Sequence, residues 1–199
     1  MKYIGLVAVL MCIVILLSGC NIIKPLFGIV GTVKEIEKRN NDYISMTSAE
    51  LEALTDEELF DAAWARTCAK VYDYENLLDG VNSLTGAEKT FYIAEYYEME
   101  VNNGGLCQFF VNSSREVAPY LDECLSETGA EEHKELFDSF ITENKINIYD
   151  LSSFIIDDTA EYEYQTERYP FDDFDNAFYE LTPIQEYLIP YIRNHISEF

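Results

Sequence analysis

Positive charge is what this 199-residue chain has least of: 13 Lys and Arg stand against 37 Asp and Glu, a net charge of −24. The shortfall lies downstream. Residues 51–199 hold 33 acidic and 8 basic side chains, net −25, whereas 21–50 balance at four of each sign. A domain so poor in cations repels nucleic acid and anionic lipid surfaces, and attracts basic proteins, polyamines or cations. Histidine is scarce as well. His133 and His195 form no metal-spaced pair, and His133, among Glu131, Glu132 and Glu135, reads as an exposed helix residue. No Gly-x-Ser-x-Gly elbow occurs, and Gly104-Gly105 lacks the strand and the Lys-Ser/Thr of a phosphate loop. Asp173-Phe174-Asp175-Asn176-Ala177 breaks the calcium-loop pattern at its fifth position, and no glycine follows. No metal, cofactor or catalytic residue is therefore expected. Cysteines are few: Cys68, Cys107 and Cys124 are the three beyond residue 20, enough for one internal disulfide at most and more simply read as buried thiols. Alternating β-branched runs are scarce, which argues against sheet, and no repeats of 20–50 residues appear.

The N-terminus is rich in what the rest lacks. Lys2 precedes an uncharged, mostly aliphatic run from Tyr3 to Leu17, and Leu17-Ser18-Gly19-Cys20 follows. About 15 apolar residues fall short of the ~20 that span a bilayer. A basic start, an apolar run and small residues before a cysteine have the build of a secretory signal. The cysteine placed there resembles the lipobox of bacterial lipoproteins, which implies cleavage before Cys20 and acylation of its sulfur. Residues 1–19 are then the signal, 20–46 a lipid-anchored tether, and 47–199 the domain, held outside the cytoplasmic membrane.

With 48% hydrophobic residues, 15 Tyr and 12 Phe, the remainder is a folding chain and not a disordered one. Its pattern is helical. Val33 to Asn41 alternates Lys and Glu as a solvated helix or stalk. Thr47 to Glu50 and Thr55 to Glu58 have the form of capping boxes. Leu59, Phe60, Ala63, Trp64, Cys68 and Val71 recur at three- and four-residue steps. Asp79-Gly80 and Asn82-Ser83 read as a loop. Thr85 opens a long helix that stops at Asn102-Asn103-Gly104-Gly105, and Leu106 to Asn112 is a buried segment or a turn of helix. Ser113-Ser114-Arg115-Glu116 opens another helix, Glu131 to Glu143 forms the next, and Thr182-Pro183 starts a last one running to His195, bent at Pro190. Asp157 to Asp175 reads as irregular. The expectation is an all-α or nearly all-α domain of about six helices.

Two constellations stand out. The first is Glu100-Val-Asn-Asn103-Gly104-Gly105-Leu-Cys-Gln108-Phe109-Phe110-Val-Asn112. In physical terms it is a helix stop with Phe109 and Phe110 in the core and Gln108 and Asn112 bonded to backbone at a tight corner; a ligand pocket is the sharper alternative. This stretch resembles the hallmark segment of the bacterial DNA-mimic protein family, in which a helix ends in Glu-x-x-Asn-Gly-Gly before Gln-Tyr/Phe-Phe-x-Asn. Leu181 to Phe199 resembles that family's last helix. The resemblance implies a compact, acidic, helical domain, often a homodimer, of a kind that in one member occupies the DNA site of a transcription regulator. An export signal sets this chain apart, so its expected partner is a basic protein beyond the membrane.

The second constellation is acidic. Asp157, Asp158, Glu161, Glu163, Glu167, Asp172, Asp173 and Asp175 share a stretch with Tyr162, Tyr164, Tyr169, Phe171, Phe174 and Tyr179. Acids among aromatics suit an Arg- or Lys-rich partner, through ion pairs and cation–π contact, although a plain acidic loop fits equally. Glu95 with Glu98, and Glu131 with Glu135 and Asp138, have spacings that could line helix faces as phosphate-like rows, although a plain solvated face is the more usual meaning of such a row. A globule of about 150 residues is roughly 38 Å long, and duplex DNA of that length carries about 22 charges, of the same order as the domain. The favoured expectation is a non-enzymatic binding module for a basic protein. A carboxylate-using enzyme and a cation-binding or structural envelope lipoprotein are the alternatives.

Overall fold

A computed structural model describes residues 23–199; the signal read over residues 1–19 and Cys20, read as the acylation site, lie outside the described residues. The chain divides after Asp42 into two units. Helix α1, Ile23–Ser45, is exposed along most of Lys34–Asp42, as alternating Lys and Glu require. No helix among the described residues is long and apolar enough to cross a membrane.

Tyr43–Phe199 is helical and, among the described residues, free of strands, so the all-α expectation holds. Its helices are α2 (Ser48–Glu52), α3 (Asp56–Val71), α4 (Leu77–Asn82), α5 (Gly86–Val111), α6 (Ala118–Thr128), α7 (Glu131–Glu143), α8 (Thr159–Arg168), α9 (Phe171–Tyr179) and α10 (Ile184–Asn194). Short 3-10 turns precede α6 at Ser113–Val117 and close the chain at Ile196–Glu198. The starts are chemically explicit. Thr47, Thr55 and Thr85 each accept a backbone N–H three residues on, while Glu50, Glu58 and Glu88 return a carboxylate to the threonine.

Among the described residues, the nine α-helices of this unit, α2 to α10, exceed the six expected of the domain, and the surplus has two causes. Gly80 marks a close approach and not a loop: a Cβ there would collide with the backbone of Val71, so α4 lies directly against the end of α3. The stretch read as irregular forms α8 and α9. Phe171, Phe174 and Phe178 fall on one buried face of α9 and pack with Phe110, Phe140 and Tyr97 at centroid distances of 5.2–6.2 Å. Aromatic residues read as partner contacts therefore belong in good part to the core, while Tyr164 and Tyr179 stay exposed.

Helix α5 is the axis. Seventeen of its 26 residues are buried, and α3, α4, α6, α8, α9 and α10 all contact it. A helix so largely packed offers its buried positions no water, and Glu88, Glu98 and Glu100 accordingly find partners inside the protein. Two arginines fasten the end of this unit to its beginning. Arg66 on α3 donates to the carbonyls of Phe199, Tyr43 and Met46 at 2.6–2.9 Å; Arg193 on α10 donates to Asp56 and to the carbonyl of Leu54, each at 2.7 Å. Helix α10 begins after Pro183 and continues through Pro190 to Asn194, with Ile184, Leu188 and Ile192 buried. Cys68, Cys107 and Cys124 are free thiols, each pushed up to about 12 by burial.

Candidate functional site

The break in α5 organises the site. At Gly104 (φ −161°, ψ 26°) and Gly105 (φ 75°, ψ 176°) the helix is interrupted, and it resumes at Leu106 instead of stopping as expected. The dihedrals of Gly105 lie where only glycine sits without strain. A Cβ there would also strike the carboxylate of Asp175, whose Oδ1 accepts the Leu106 N–H at 2.8 Å and so caps the resumed helix. The carbonyls left open by the break are met from α8 and α9. Tyr162 donates its hydroxyl to the Gly104 oxygen at 3.3 Å, and Tyr179 donates to that of Val101 at 3.1 Å.

The hallmark side chains answer one another across this break. Gln108 Nε2 and Asn112 Nδ2 both donate to Glu100 Oε2 at 2.8 Å. The expectation that they bond to backbone is thus corrected: a nearly buried carboxylate is a stronger acceptor than a carbonyl, and it needs two donors to offset its desolvation. A Cβ at Gly104 would meet the side-chain amide oxygen of Gln108, so a larger residue there would push this amide from its place beside Glu100. Phe109 and Phe110 are fully buried, as expected. Asn103 is exposed.

Beside the break lies an open groove of about 670 Å³, walled by Glu95, Tyr96, Met99, Asn102, Gln108 and Gln185. Glu98 also borders it, but its carboxylate turns to α10, accepting the N–H groups of Ile184 at 2.7 Å and Gln185 at 3.1 Å. Burial raises the Glu98 carboxyl, and these two bonds partly hold it down. Glu95 is different. Its Oε2 is buried without a hydrogen-bond partner, and burial, reinforced by the charge of Glu98, pushes its carboxyl up to about 8. The row read from Glu95 and Glu98 is therefore not a phosphate-like face but part of a groove. A signal was present in the sequence: Phe91, Ala94, Tyr97 and Val101 alone suggest one apolar face, but Tyr92, Ile93 and Tyr96 add apolar bulk around the helix and leave Glu95 and Glu98 little solvent side.

The acidic stretch divides. Asp157, Asp158, Glu161, Glu163, Glu167, Asp172 and Asp173 are exposed, whereas Asp175 is half-buried as the cap described above. Asp158 and Glu161 also serve at the surface, capping the start of α8. On α7, Glu131 and Glu135 are exposed and Asp138 is paired with Lys134 at 2.6 Å. His133 is not exposed, as expected from its acidic neighbours, but 1% accessible. Its Nε2 donates to the Thr182 carbonyl at 2.7 Å and its ring meets Phe178 edge-on, because this side of α7 faces α9 and the approach to α10. Burial lowers its pKa. Among the described residues no group of three or more His, Cys, Asp or Glu is placed to hold a metal ion.

Comparison with known proteins agrees with this geometry. No curated protein and no solved structure matches the chain. The family model described as DMP19-like protein matches residues 82–195, which takes in α5, its glycine break, the acidic helices and α10. A match over more than half of the chain, taking in the hallmark, places this protein in the DMP19-like family of DNA-mimic proteins.

Proposed function

We propose that this protein is a membrane-anchored, non-enzymatic DNA mimic that binds a basic, DNA-binding type of protein outside the cytoplasmic membrane. The observation that carries the reading is how charge is distributed. Acids that the fold consumes, such as Glu88, Glu98, Glu100 and Asp175, are a minority; 24 of the 33 in residues 51–199 remain exposed, half of them on α3, α7, α8 and α9. Family membership supports a DNA-binding protein as the class of partner. Leu17-Ser18-Gly19-Cys20 supports the anchor. Association driven by many exposed carboxylates is screened by salt, with a Debye length of about 10 Å at 0.1 M. Capture of partners from the envelope fraction at 50 and 300 mM salt tests the reading. A basic protein retained only at the lower value is expected; recovery of none defeats it. Membrane fractionation of the Cys20→Ala variant tests the anchor, which predicts loss from the membrane pellet.

The enzyme reading has one observation in its favour, the displaced Glu95 carboxyl in a groove. A general acid and base pair needs two free carboxyls. Glu98 and Glu100 are both held by donors, which leaves Glu95.

A further inference from the structure

The groove beside the glycine break has features that general acidity does not explain. Its wall mixes acceptors with apolar surface: the carboxyl of Glu95 and the side-chain amides of Asn102 and Gln185 stand beside the ring of Tyr96 and the thioether of Met99, itself 42% exposed. Glu95 lies on α5, most of whose residues are buried, and its own side chain is half-buried with Oε2 shut off from solvent. A buried carboxyl oxygen with no donor is costly. It is cheap only if a donor arrives from outside.

We propose that this groove receives one arginine side chain of a basic protein partner, with its guanidinium against Glu95 and its stem along Met99. The assignment rests on the basic-partner reading above and names the contact within it. Arginine fits better than lysine because its planar fork offers five donors at once, enough for a carboxylate and neighbouring amide carbonyls, and it stacks on a tyrosine ring. Charge complementarity favours entry, since the domain around the groove is net −25.

Glu95, standing at about 8, is largely protonated in the free protein at neutral pH. An arriving guanidinium favours the ionised form, so the carboxyl proton passes to solvent as the ion pair forms. The titratable groups around Glu95 are Glu98, Tyr96 and Glu100 on its own helix and Cys68 on α3; the thiol, at about 12, and the Tyr96 hydroxyl, raised by burial, stay neutral throughout. Binding should therefore tighten as pH rises through 8 and release a proton below it.

The test is titration calorimetry of the full-length protein, in detergent, with a nine-residue peptide of alternating arginine and serine and with its lysine counterpart. Measurements at pH 6, 7 and 9, in buffers of different ionisation enthalpy, give affinity and proton release together. The arginine peptide should bind about 50- to 100-fold more tightly at pH 9 than at pH 6, releasing close to one proton at pH 7 and almost none at pH 9. Glu95→Gln and, independently, Asn103→Arg at the exposed rim should abolish the pH dependence and the proton. Glu135→Gln, which changes net charge by the same amount on α7, should keep both. Equal binding of the lysine peptide, or pH-dependent tightening that survives in Glu95→Gln, overturns the arginine site. Salt-sensitive binding with no pH dependence in the unaltered protein also overturns it, yet leaves the basic-partner reading standing. No salt-sensitive binding of either peptide removes both.

Discussion

Two acid-bearing regions of this domain, both tied to the same break in α5, behave in opposite ways. Around the break, Glu98, Glu100 and Asp175 are wholly or partly buried, and each accepts hydrogen bonds from backbone N–H groups or side-chain amides. Along α8 and the outer face of α9, Glu163, Glu167, Asp172 and Asp173 are exposed. The first set holds helices together across the fold, and the second meets water. A count of carboxylates therefore overstates the binding face and understates the structural role of acids. What separates the two sets is position on a helix, not residue type.

The sharpest way to break this contrast is at its geometric centre. Gly105→Ala should destabilise the domain by about 3 kcal/mol or more, because it strains a glycine-only conformation and displaces the Asp175 cap. Chemical denaturation at pH 7 measures this, and a loss below about 1 kcal/mol would mean that the break is not required. Next comes Glu98→Ala. It strips two acceptor bonds from the start of α10 and leaves the buried Ile184 N–H unmet, at a cost of about 2–3 kcal/mol. Thermal melts should fall by about 5–10 °C.

Smaller effects should appear with pH, and their signs differ between groups. Glu95 has a raised folded pKa, so its favourable contribution is complete below its ordinary value of 4.5 and is lost as pH climbs to about 8. Glu95→Gln should accordingly flatten the fall in stability over that window, leaving the variant the more stable protein at pH 8 by about 1 kcal/mol or more. A variant no more stable than the parent at pH 8 would contradict the burial of this carboxyl. His133 has the opposite sense. Its lowered folded pKa means that stability is lost as pH falls below 6.5, when the unfolded chain takes up a proton that the buried ring resists; Glu132 nearby lessens the effect, and Phe178 and the Thr182 carbonyl complete its surroundings. His133→Gln should weaken this acid-side loss in melts run from pH 7 to 5. The smallest change belongs to the exposed set. Neutralising Glu163, Glu167, Asp172 and Asp173 together to their amides should move stability by no more than about 0.5 kcal/mol per site. Affinity for the captured basic protein should drop severalfold, with a shallower dependence on salt. Unchanged affinity would show that these acids are not the binding face.

Much of this arrangement is legible from the chain, and the misses have a common cause. Capping boxes at Thr47 and Thr55, the interruption at Gly104-Gly105 and the all-α architecture depend on local chemistry, which neighbouring residues record. His133, Asp175 and Glu98 were legible in type but not in place. Each is decided by a partner 49, 69 or 86 residues away, and local sequence carries no mark of it. Helix α9 was hidden differently. Asp172, Asp173 and Asp175 interrupt its composition and suggest a loop, but Phe171, Phe174 and Phe178 keep the three- and four-residue spacing of a buried stripe. In an acidic protein the apolar period is the safer guide, because surface acids say little about backbone conformation.

The use made of the scarce cations has a final consequence. Arg66, Arg115 and Arg193 are spent on backbone carbonyls, Lys70 on Glu88, Lys134 on Asp122 and Asp138, and Lys89 on Asn82 and the ring of Tyr120. Acting as rivets, they cannot neutralise the exterior, so that task falls to sodium and potassium ions drawn from solution. The domain then wears a diffuse ionic atmosphere much as a duplex does, and a protein that docks on it sets those ions free, an entropy gain familiar from polyanion binding.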